Sequence, residues 1–382
     1  MTELGFAMLG YGFMGRAHSL ALGALAGLEE RPAALPRLVS ICGREPVALE
    51  CARAQYGWAE AVTDWRDQVA DPRVDVFDNA GPNALHLEPS LAALRHGKHV
   101  LCEKPLGRTA DEAHRLWVAA DRAAVVHMCG FNLRFMPAVR LARELLESGQ
   151  LGEPTHLRGR FLASTALRPD QRRTWRFQRS AAGSGAVADL GSHLIDLARY
   201  LIGEIAAVRA ATRTFVGERD AAPVDVDDAF ASVVELEGGG IGTLEASRAA
   251  GRRSGACSFE VDATRGSLSF DAERLNELEV VTRRKETRRI EVTDPGHPFL
   301  ELWWPAPGHA IGWGDSFTHE LRHLLAAVAG AATVRPFGAD FEDGYRCAEV
   351  CDAILRAAET GAREVVVYRA ARETAAAAGA GP

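Results

Sequence analysis

The stretch Leu4-Gly5-Phe6-Ala7-Met8-Leu9-Gly10-Tyr11-Gly12-Phe13-Met14-Gly15-Arg16-Ala17-His18 decides the fold. An apolar run ends in Gly-x-Gly-x-x-Gly and passes straight into an Ala- and Leu-rich helical pattern. That is the order strand, tight turn, helix of a dinucleotide-binding βαβ unit. On this reading Gly10 permits the turn, Gly12 lets the backbone approach a pyrophosphate, and Gly15 lets the helix pack against the strand. Phe13 and Met14 open the helix, whose free amides and partial positive charge face the phosphates. The spacing alone is a weak signal, because any βα turn that needs glycines can carry it. The context is what gives it weight.

Working outward, the runs Leu38–Cys42, Val74–Phe77, His99–Cys102 and Val125–Cys129 alternate with helical stretches at 16–28, 46–56, 84–96 and 110–122. Strands fed by helices predict right-handed crossovers and a doubly wound parallel sheet, an α/β Rossmann domain over residues 1–131. Beyond about residue 151 the pattern changes. Thr155–Leu162, Ala206–Phe215, Ala229–Leu236, Ile241–Ser247, Ser258–Val261, Leu268–Phe270 and Leu278–Val281 read as successive strands, with turns at Gly238-Gly239-Gly240 and Arg265-Gly266. One apolar helix, Ala186–Leu201, interrupts them. This predicts an α+β domain over 132–368 with a large, mainly antiparallel open sheet. Helices at 315–331 and 341–359 precede a last strand, Val365–Val367, and are candidates to pack back on the first domain. The Ala- and Gly-rich residues 369–382 read as a disordered tail.

The composition is that of a globular protein, with 382 residues, 47% hydrophobic and 25% charged. A net charge of −7 argues against nucleic acid and anionic membranes as partners, so an anionic cofactor must be held by local geometry. No run of about 18 apolar residues predicts a membrane span, and no signal peptide is read at the N-terminus. Seven scattered cysteines suit reduced thiols in a cytoplasm, with Cys42, Cys102 and Cys129 as small buried hydrophobes.

The tip of the second strand bears on the choice of cofactor. An acidic residue there binds a ribose 2′-hydroxyl, whereas an Arg accommodates a 2′-phosphate. The chain reads Gly43-Arg44-Glu45, so NADP is at least as good a reading as NAD. Two further sets carry chemistry. Glu103-Lys104-Pro105 places Lys104 at the carboxyl end of the His99–Cys102 run, where ligands of open α/β sheets bind. In Gly183-Ser184-Gly185-Ala186-Val187-Ala188-Asp189-Leu190-Gly191-Ser192-His193, Asp189 and His193 stand four apart, which puts both on one face of an apolar helix. A nearby helix N-terminus disfavours the His193 imidazolium, and Asp189 would push the other way and orient the ring. Each set has a bland alternative: a surface lysine before a loop, and a core histidine with an N-terminal Asp cap.

Taken together and in this order, the glycine turn, Glu103-Lys104-Pro105 and the Asp189…His193 helix resemble the Gfo/Idh/MocA family over about residues 4–368. The resemblance implies an N-terminal Rossmann domain, a C-terminal sheet domain that often mediates oligomers, and Lys104, Asp189 and His193 as catalytic residues. Lys104 would bind the reacting oxygen and His193 would act as general base. Gly12–Ser19, Trp175-Arg176-Phe177-Gln178, Gly183-Ser184-Gly185 and the 297–314 segment with Trp303-Trp304-Pro305 are similar to that family's levoglucosan dehydrogenase branch, which oxidises a pyranose C3 hydroxyl with NAD. By the same resemblance, Pro82, Asn83 and His86 lie near the nicotinamide ribose, with Glu103 in the cofactor site. Asn132 and Arg134 enter the cleft with Trp175 and Arg176 as nicotinamide or substrate contacts. The implied ligands are NAD or NADP and a small sugar or cyclitol, and the implied assembly is a dimer or tetramer formed through the C-terminal sheet.

Two patterns compete. His319-Glu320-Leu321-Arg322-His323 fits the zinc-protease spacing, but the same stretch is an amphipathic helix with Phe317, Leu321, Leu324 and Leu325 inward. Cys347 and Cys351 are better read as helix-core cysteines than as a metal pair, so no metal is expected. Rival functions are a cyclitol dehydrogenase, a ketoreductase of a glycoside or aminoglycoside intermediate, and a cofactor-binding regulator without catalysis. Trp175, Trp303, Trp304 and Trp313 are candidates for a wall on which a sugar stacks.

Overall fold

The computed structural model describes residues 2–294, 296–304 and 306–371. Pro305 and residues 372–382 of the expected tail lie outside them. Six strands form the first sheet: β1 (Thr2–Leu9), β2 (Ala34–Cys42), β3 (Glu60–Val62), β4 (Val76–Asn79), β5 (His99–Glu103) and β6 (His127–Gly130). Their order is β3-β2-β1-β4-β5-β6, all parallel. The order reverses between β1 and β4, and at such a switch point the carboxyl ends of the strands open a crevice. The helices of this layer are α1 (Phe13–Ala24), α2 (Pro46–Tyr56), α3 (Trp65–Ala70), α4 (Leu87–Arg95) and α5 (Ala110–Ala123).

Helix α6 (Pro137–Glu147) leads into a nine-stranded sheet. Its strands are β7 (Pro154–Leu162), β8 (Ile205–Arg213), β11 (Ala229–Leu236), β12 (Ile241–Ser247), β13 (Ala256–Ala263), β14 (Gly266–Asp271), β15 (Glu277–Val281), β16 (Thr287–Glu291) and β17 (Glu364–Val365). A small hairpin, β9 (Glu218–Arg219) and β10 (Ala222–Pro223), stands apart. The sheet order is β16-β15-β14-β13-β7-β12-β11-β8-β17, antiparallel except for the β7–β12 pair. Alternation along β11 turns Phe230, Ser232, Val234 and Leu236 inward, while Val233 on the other face is exposed. One face is thus covered and the other left open to solvent.

The covered face meets the helix α8 (Ser192–Leu201), entered through the one-turn α7 (Arg179–Ala182) and a π-helical turn at Val187–Gly191. Helices α9 (Asp315–Val328) and α10 (Phe341–Thr360) join the two sheets. α10 packs on α5 and β6 of the first sheet and on α8 and β8 of the second. On α9, Phe317, Leu321, Leu324 and Leu325 are buried with Phe6, Met8, Leu22 and Leu25 of the first layer. Burying four such side chains at about 1.5–3 kcal/mol each explains why a helix so late in the chain returns to the N-terminal domain.

Several short elements escaped the sequence pattern, α7, β9 and β10 among them. β3 has only three residues, α3 has six, and α6 falls between the stretches read as elements. β16 is Thr-Arg-Arg-Ile-Glu, a charged edge strand without apolar alternation, as edges exposed to pairing often are. At the start of the expected tail, Arg369 is anchored: its amide donates to the Tyr345 hydroxyl at 2.6 Å and its guanidinium pairs with Asp111 at 3.2 Å.

Candidate active site

The glycine turn crosses the carboxyl end of β1. Gly10 has φ +105°, and a Cβ there would lie 2.6 Å from the Ala80 carbonyl. A Cβ on Gly15 would lie 2.1 Å from the Gly10 carbonyl, so helix and turn touch through bare backbone. A Cβ on Gly12 would meet no atom within 4 Å, so open space lies in front of the turn. Asp or Thr side chains cap α3, α5 and α10, whereas no side chain caps α1 and its first turn holds no acid. The first-turn amides and the space before them fit a dinucleotide's pyrophosphate. At the β2 tip, Gly43 is demanded by Tyr11, whose ring would lie 2.0 Å from a Cβ. Arg44 and Glu45 beyond it are exposed.

On the far side of the crevice, Asp189 and His193 are the only residues of the Ser184–Leu201 stretch that are not buried. This helix is therefore wrapped on all sides except where these two face a cleft. Its start is fixed by Asp227, which the sequence reading missed. The Asp227 carboxylate accepts from the Gly185 amide at 2.7 Å and the Val187 amide at 2.9 Å, and its carbonyl accepts from Ala186 at 2.9 Å. A Cβ on Gly185 would lie 1.7 Å from that carbonyl, so only glycine lets this segment come so close. Arg248 braces the cap by donating to the Asp227 carbonyl at 3.0 Å and to that of Arg176 at 3.1 Å. The Asp225-Val226-Asp227-Asp228 run ahead of β11 was the available signal, but an acidic run reads equally well as a solvated loop.

Lys104, at the end of β5, reaches across. Its Nζ donates to the main-chain carbonyl of Asp189 at 2.7 Å and lies 3.6 Å from the Asp189 carboxylate. Burial resists ionisation of Asp189, but Lys104, Arg176 and Arg248 outweigh it and hold the acid below its ordinary range. His193 is flanked by the rings of Phe131 and Phe161 at 6.2 and 5.8 Å. Burial, and then the charge of Lys104, push its pKa well below the usual histidine value, so the ring is neutral at neutral pH. Its Nδ1 is buried without a partner, which leaves Nε2 to the cleft. The expected orientation of His193 by Asp189 is corrected here. Asp189 forms its polar contacts with Lys104, and the His193 ring is held by aromatic packing.

Trp175 is half-buried with the guanidinium of Arg176 over its ring at 4.4 Å. Their loop is held by Arg219, whose guanidinium donates to the carbonyls of Ala166 and Gln171 and covers Phe177 at 4.4 Å.

Several expected ligands spend their polar atoms elsewhere. Arg134 is buried and chelates Asp196 at 2.6 and 2.8 Å, with Gly338 O at 3.2 Å and Asp343 at 3.4 Å, so it cannot be a substrate contact. A guanidinium next to a cleft strand has two destinations, and the acids of α8 and α10 were too distant in sequence to be recognised as its partners. His86 is buried between the carbonyls of Pro105 at 2.7 Å and Gly81 at 3.1 Å; it fastens two loops and leaves Pro82 at the rim. Asn83 donates to Ala182 O at 2.9 Å, joining the loop after β4 to α7. Asn132 donates to the Ser316 hydroxyl at 2.8 Å. Glu103 is buried and bonded to His18 and to the Lys104 amide, so it supports the site from beneath and does not line it.

The tryptophans do not form one wall. Trp303 donates to His319 Nε2 at 2.7 Å and packs under α9, while Trp313 stacks on the exposed Phe13 at 5.8 Å. His319 Nδ1 faces Phe135 O at 2.9 Å, and His323 Nε2 faces Val334 O at 2.8 Å. The zinc-protease spacing is therefore that of a packed helix. Cys347 and Cys351 are buried, with thiols at the carbonyls of Ser192 and Val187 on the helix that carries His193.

Comparison with known proteins places these features in a family. Residues 4–131 match the oxidoreductase family, NAD-binding Rossmann fold model of Gfo/Idh/MocA, and residues 139–269 match a Gfo/Idh/MocA C-terminal domain. Levoglucosan dehydrogenase of Pseudarthrobacter phenanthrenivorans is 38% identical over 381 residues, covering 94% of this chain and 97% of that protein. Glucose-6-phosphate 3-dehydrogenase of Bacillus subtilis is 28% identical over 359 residues, covering 92% and 95%. A solved levoglucosan dehydrogenase in complex with NADH and levoglucosan superposes with a TM-score of 0.92 at 38% identity, covering 96% of this chain and all of that one.

Proposed function

The chain belongs to the Gfo/Idh/MocA oxidoreductase family and carries its NAD-binding Rossmann domain, and from that premise we propose that it oxidises the C3 hydroxyl of a pyranose or anhydropyranose. The observation that carries the reading is the meeting of Lys104, Asp189 and His193 on one cleft at the carboxyl end of β5. The names of two relatives, one a levoglucosan dehydrogenase and one a sugar 3-dehydrogenase, support the substrate class and the carbon.

Bound NAD supplies the hydride acceptor. His193, neutral and open at Nε2, takes the hydroxyl proton. Lys104 holds the same oxygen with its ammonium and stabilises the negative charge that builds there. Asp189 keeps the ammonium aimed through its carbonyl and carboxylate. Trp175 offers an apolar face to the sugar ring, with Arg176 reaching its hydroxyls. For the cofactor we favour NAD, which the relative's solved structure holds in reduced form, while the Gly43-Arg44 tip leaves room for a 2′-phosphate.

The test is a cofactor-reduction screen of NAD and NADP against levoglucosan, glucose, methyl glycosides, inositols and aminoglycoside precursors. Levoglucosan or a glucoside with NAD is the expected signal. Turnover of an inositol or of an aminoglycoside precursor alone would move the substrate to the rival class, and no turnover at all would remove the catalytic reading.

The open face of the nine-stranded sheet suits a second copy of the chain. Exposed Val233 and Ile241 lie on it among Arg158, Arg160, Arg209, Glu245 and Glu260, so opposite charges meet when the face pairs with itself. Light scattering should give a dimer or tetramer, and Val233→Glu should lower the mass. A monomer at micromolar concentration counts against the assembly.

A further inference from the structure

Beneath the glycine turn, four ionisable side chains are buried together. His18 of α1 stands between Asp78 of β4 and Glu103 of β5, and Glu320 of α9 closes the cluster. His18 Nδ1 lies 2.9 and 3.0 Å from the two Asp78 oxygens, and Nε2 lies 3.1 Å from Glu103 Oε1. The other Glu103 oxygen accepts the Lys104 amide at 3.1 Å. A Cβ on Gly130 of β6 would lie 2.9 Å from Glu103 Oε1, and the Phe317 ring covers the imidazole at 5.5 Å.

A neutral imidazole has one N–H and one lone pair, and an ionised carboxylate only accepts. With a carboxylate at each nitrogen, the neutral ring would turn a lone pair against an oxygen. The imidazolium satisfies both.

We propose that His18 is a positioning residue, a buried imidazolium that fixes Glu103 and, through it, the main chain of Lys104. This rests on the catalytic reading of Lys104 given above. Burial opposes the charge on His18, yet Asp78 and Glu103 outweigh it and raise its pKa well above the ordinary value. Glu320 is pushed the opposite way from a normal carboxylate: burial, then Glu103, raise it, so it stays protonated and adds no third negative charge. Because the His18 pKa is raised, the charge on the ring persists through neutral pH and is lost only as pH rises through the raised value. Beyond the four, Asp196 also acts on Glu320, and Lys104 follows Glu103 on the cleft side.

The experiment has two arms. In the full-length protein labelled with 15N-histidine, both His18 nitrogens should show imidazolium shifts unchanged from pH 6 to 8.5. A His18 signal that titrates near the ordinary value overturns the proposal. In kinetics, His18→Gln should lower kcat roughly 10- to 100-fold through misplacement of Lys104, while the NAD dissociation constant stays within about threefold. The sugar is levoglucosan, or whichever compound of the screen is turned over. Unchanged kcat, or a loss confined to NAD affinity, overturns the proposal. If His18→Gln does not fold, Asp78→Asn takes its place: it keeps the ring and should lower kcat in the same direction, and an unchanged kcat counts against the clamp. Lys104→Met separates the two readings. An inactive Lys104→Met beside a fully active His18→Gln rejects only the clamp, whereas an active Lys104→Met rejects the catalytic reading.

Discussion

Lys104 Nζ donates to the main-chain carbonyl of Asp189 at 2.7 Å, a bond that a regular α-helix at that residue would compete for. The π-helical turn at Val187–Gly191 breaks the usual spacing of helical hydrogen bonds where the lysine arrives. The ammonium of one domain is thus tied to the backbone of the other, and the reacting oxygen would sit at their junction.

Removing that ammonium should be severe. Lys104→Met should reduce kcat by roughly 10²–10³-fold, the cost of losing one donor to a developing oxyanion. NAD affinity, measured by fluorescence titration, should change little. A variant with near-normal kcat is the contrary result.

As the proposed base, His193 should set the acid side of the pH profile. Its pKa is depressed, so the neutral base persists as pH falls and is lost only below the ordinary value of 6.5. In kcat/KM against pH, the acid limb should lie below pH 6.5, and His193→Ala should lower kcat at least roughly 10²-fold. An acid limb at or above 6.5 would contradict the assignment.

Asp227 should matter for both stability and geometry. Asp227→Ala leaves the amides of Gly185 and Val187 without their side-chain partner and should cost about 1–3 kcal/mol, read as a lower midpoint in urea. kcat should fall with it, since the helix it anchors carries His193. A variant as stable as the parent would show that water replaces the cap.

Arg134 separates the structural reading from the sequence expectation. Arg134→Met strands Asp196 in the core and should destabilise by about 3–5 kcal/mol. KM for the sugar should stay within about twofold in the folded fraction, because the guanidinium does not reach the cleft. A raised KM with unchanged stability would restore it to the site.

Arg44 bears on the cofactor alone. Arg44→Ala should raise KM for NADP by roughly 10-fold or more and leave KM for NAD nearly unchanged, given about 1.5–3 kcal/mol for a charged hydrogen bond. Equal effects on both cofactors would mean that Arg44 contacts the adenine.

The Rossmann layer was legible in the sequence because its strands are apolar runs and its turn needs glycine at fixed places. The pair Asp189 and His193 was legible for a related reason: they stand four apart on an otherwise apolar helix, which puts both on one face. Arg134, Asn132, Glu103 and His86 were misplaced because position along the chain says which strand end a residue follows, and not whether a buried partner waits for it. Asp196, Ser316, His18 and the Pro105 carbonyl are those partners, from 19 to 184 residues away. Asp227 and Arg248 were missed for the same cause, since a cap contributed from a segment distant in the chain leaves no local periodicity.

The π-helical turn has a consequence for insertions and deletions. Such a turn holds one more residue than α geometry requires, so deleting a residue anywhere in Val187–Gly191 would let the segment relax to a plain helix. The flanking residues would keep their places, because the extra residue is absorbed within the turn. The Asp189 carbonyl would instead be claimed by a regular helical amide, and Lys104 would lose the backbone anchor that it holds across the two domains. A length change that spares Asp189 should therefore lower activity although no side chain of the site had been substituted.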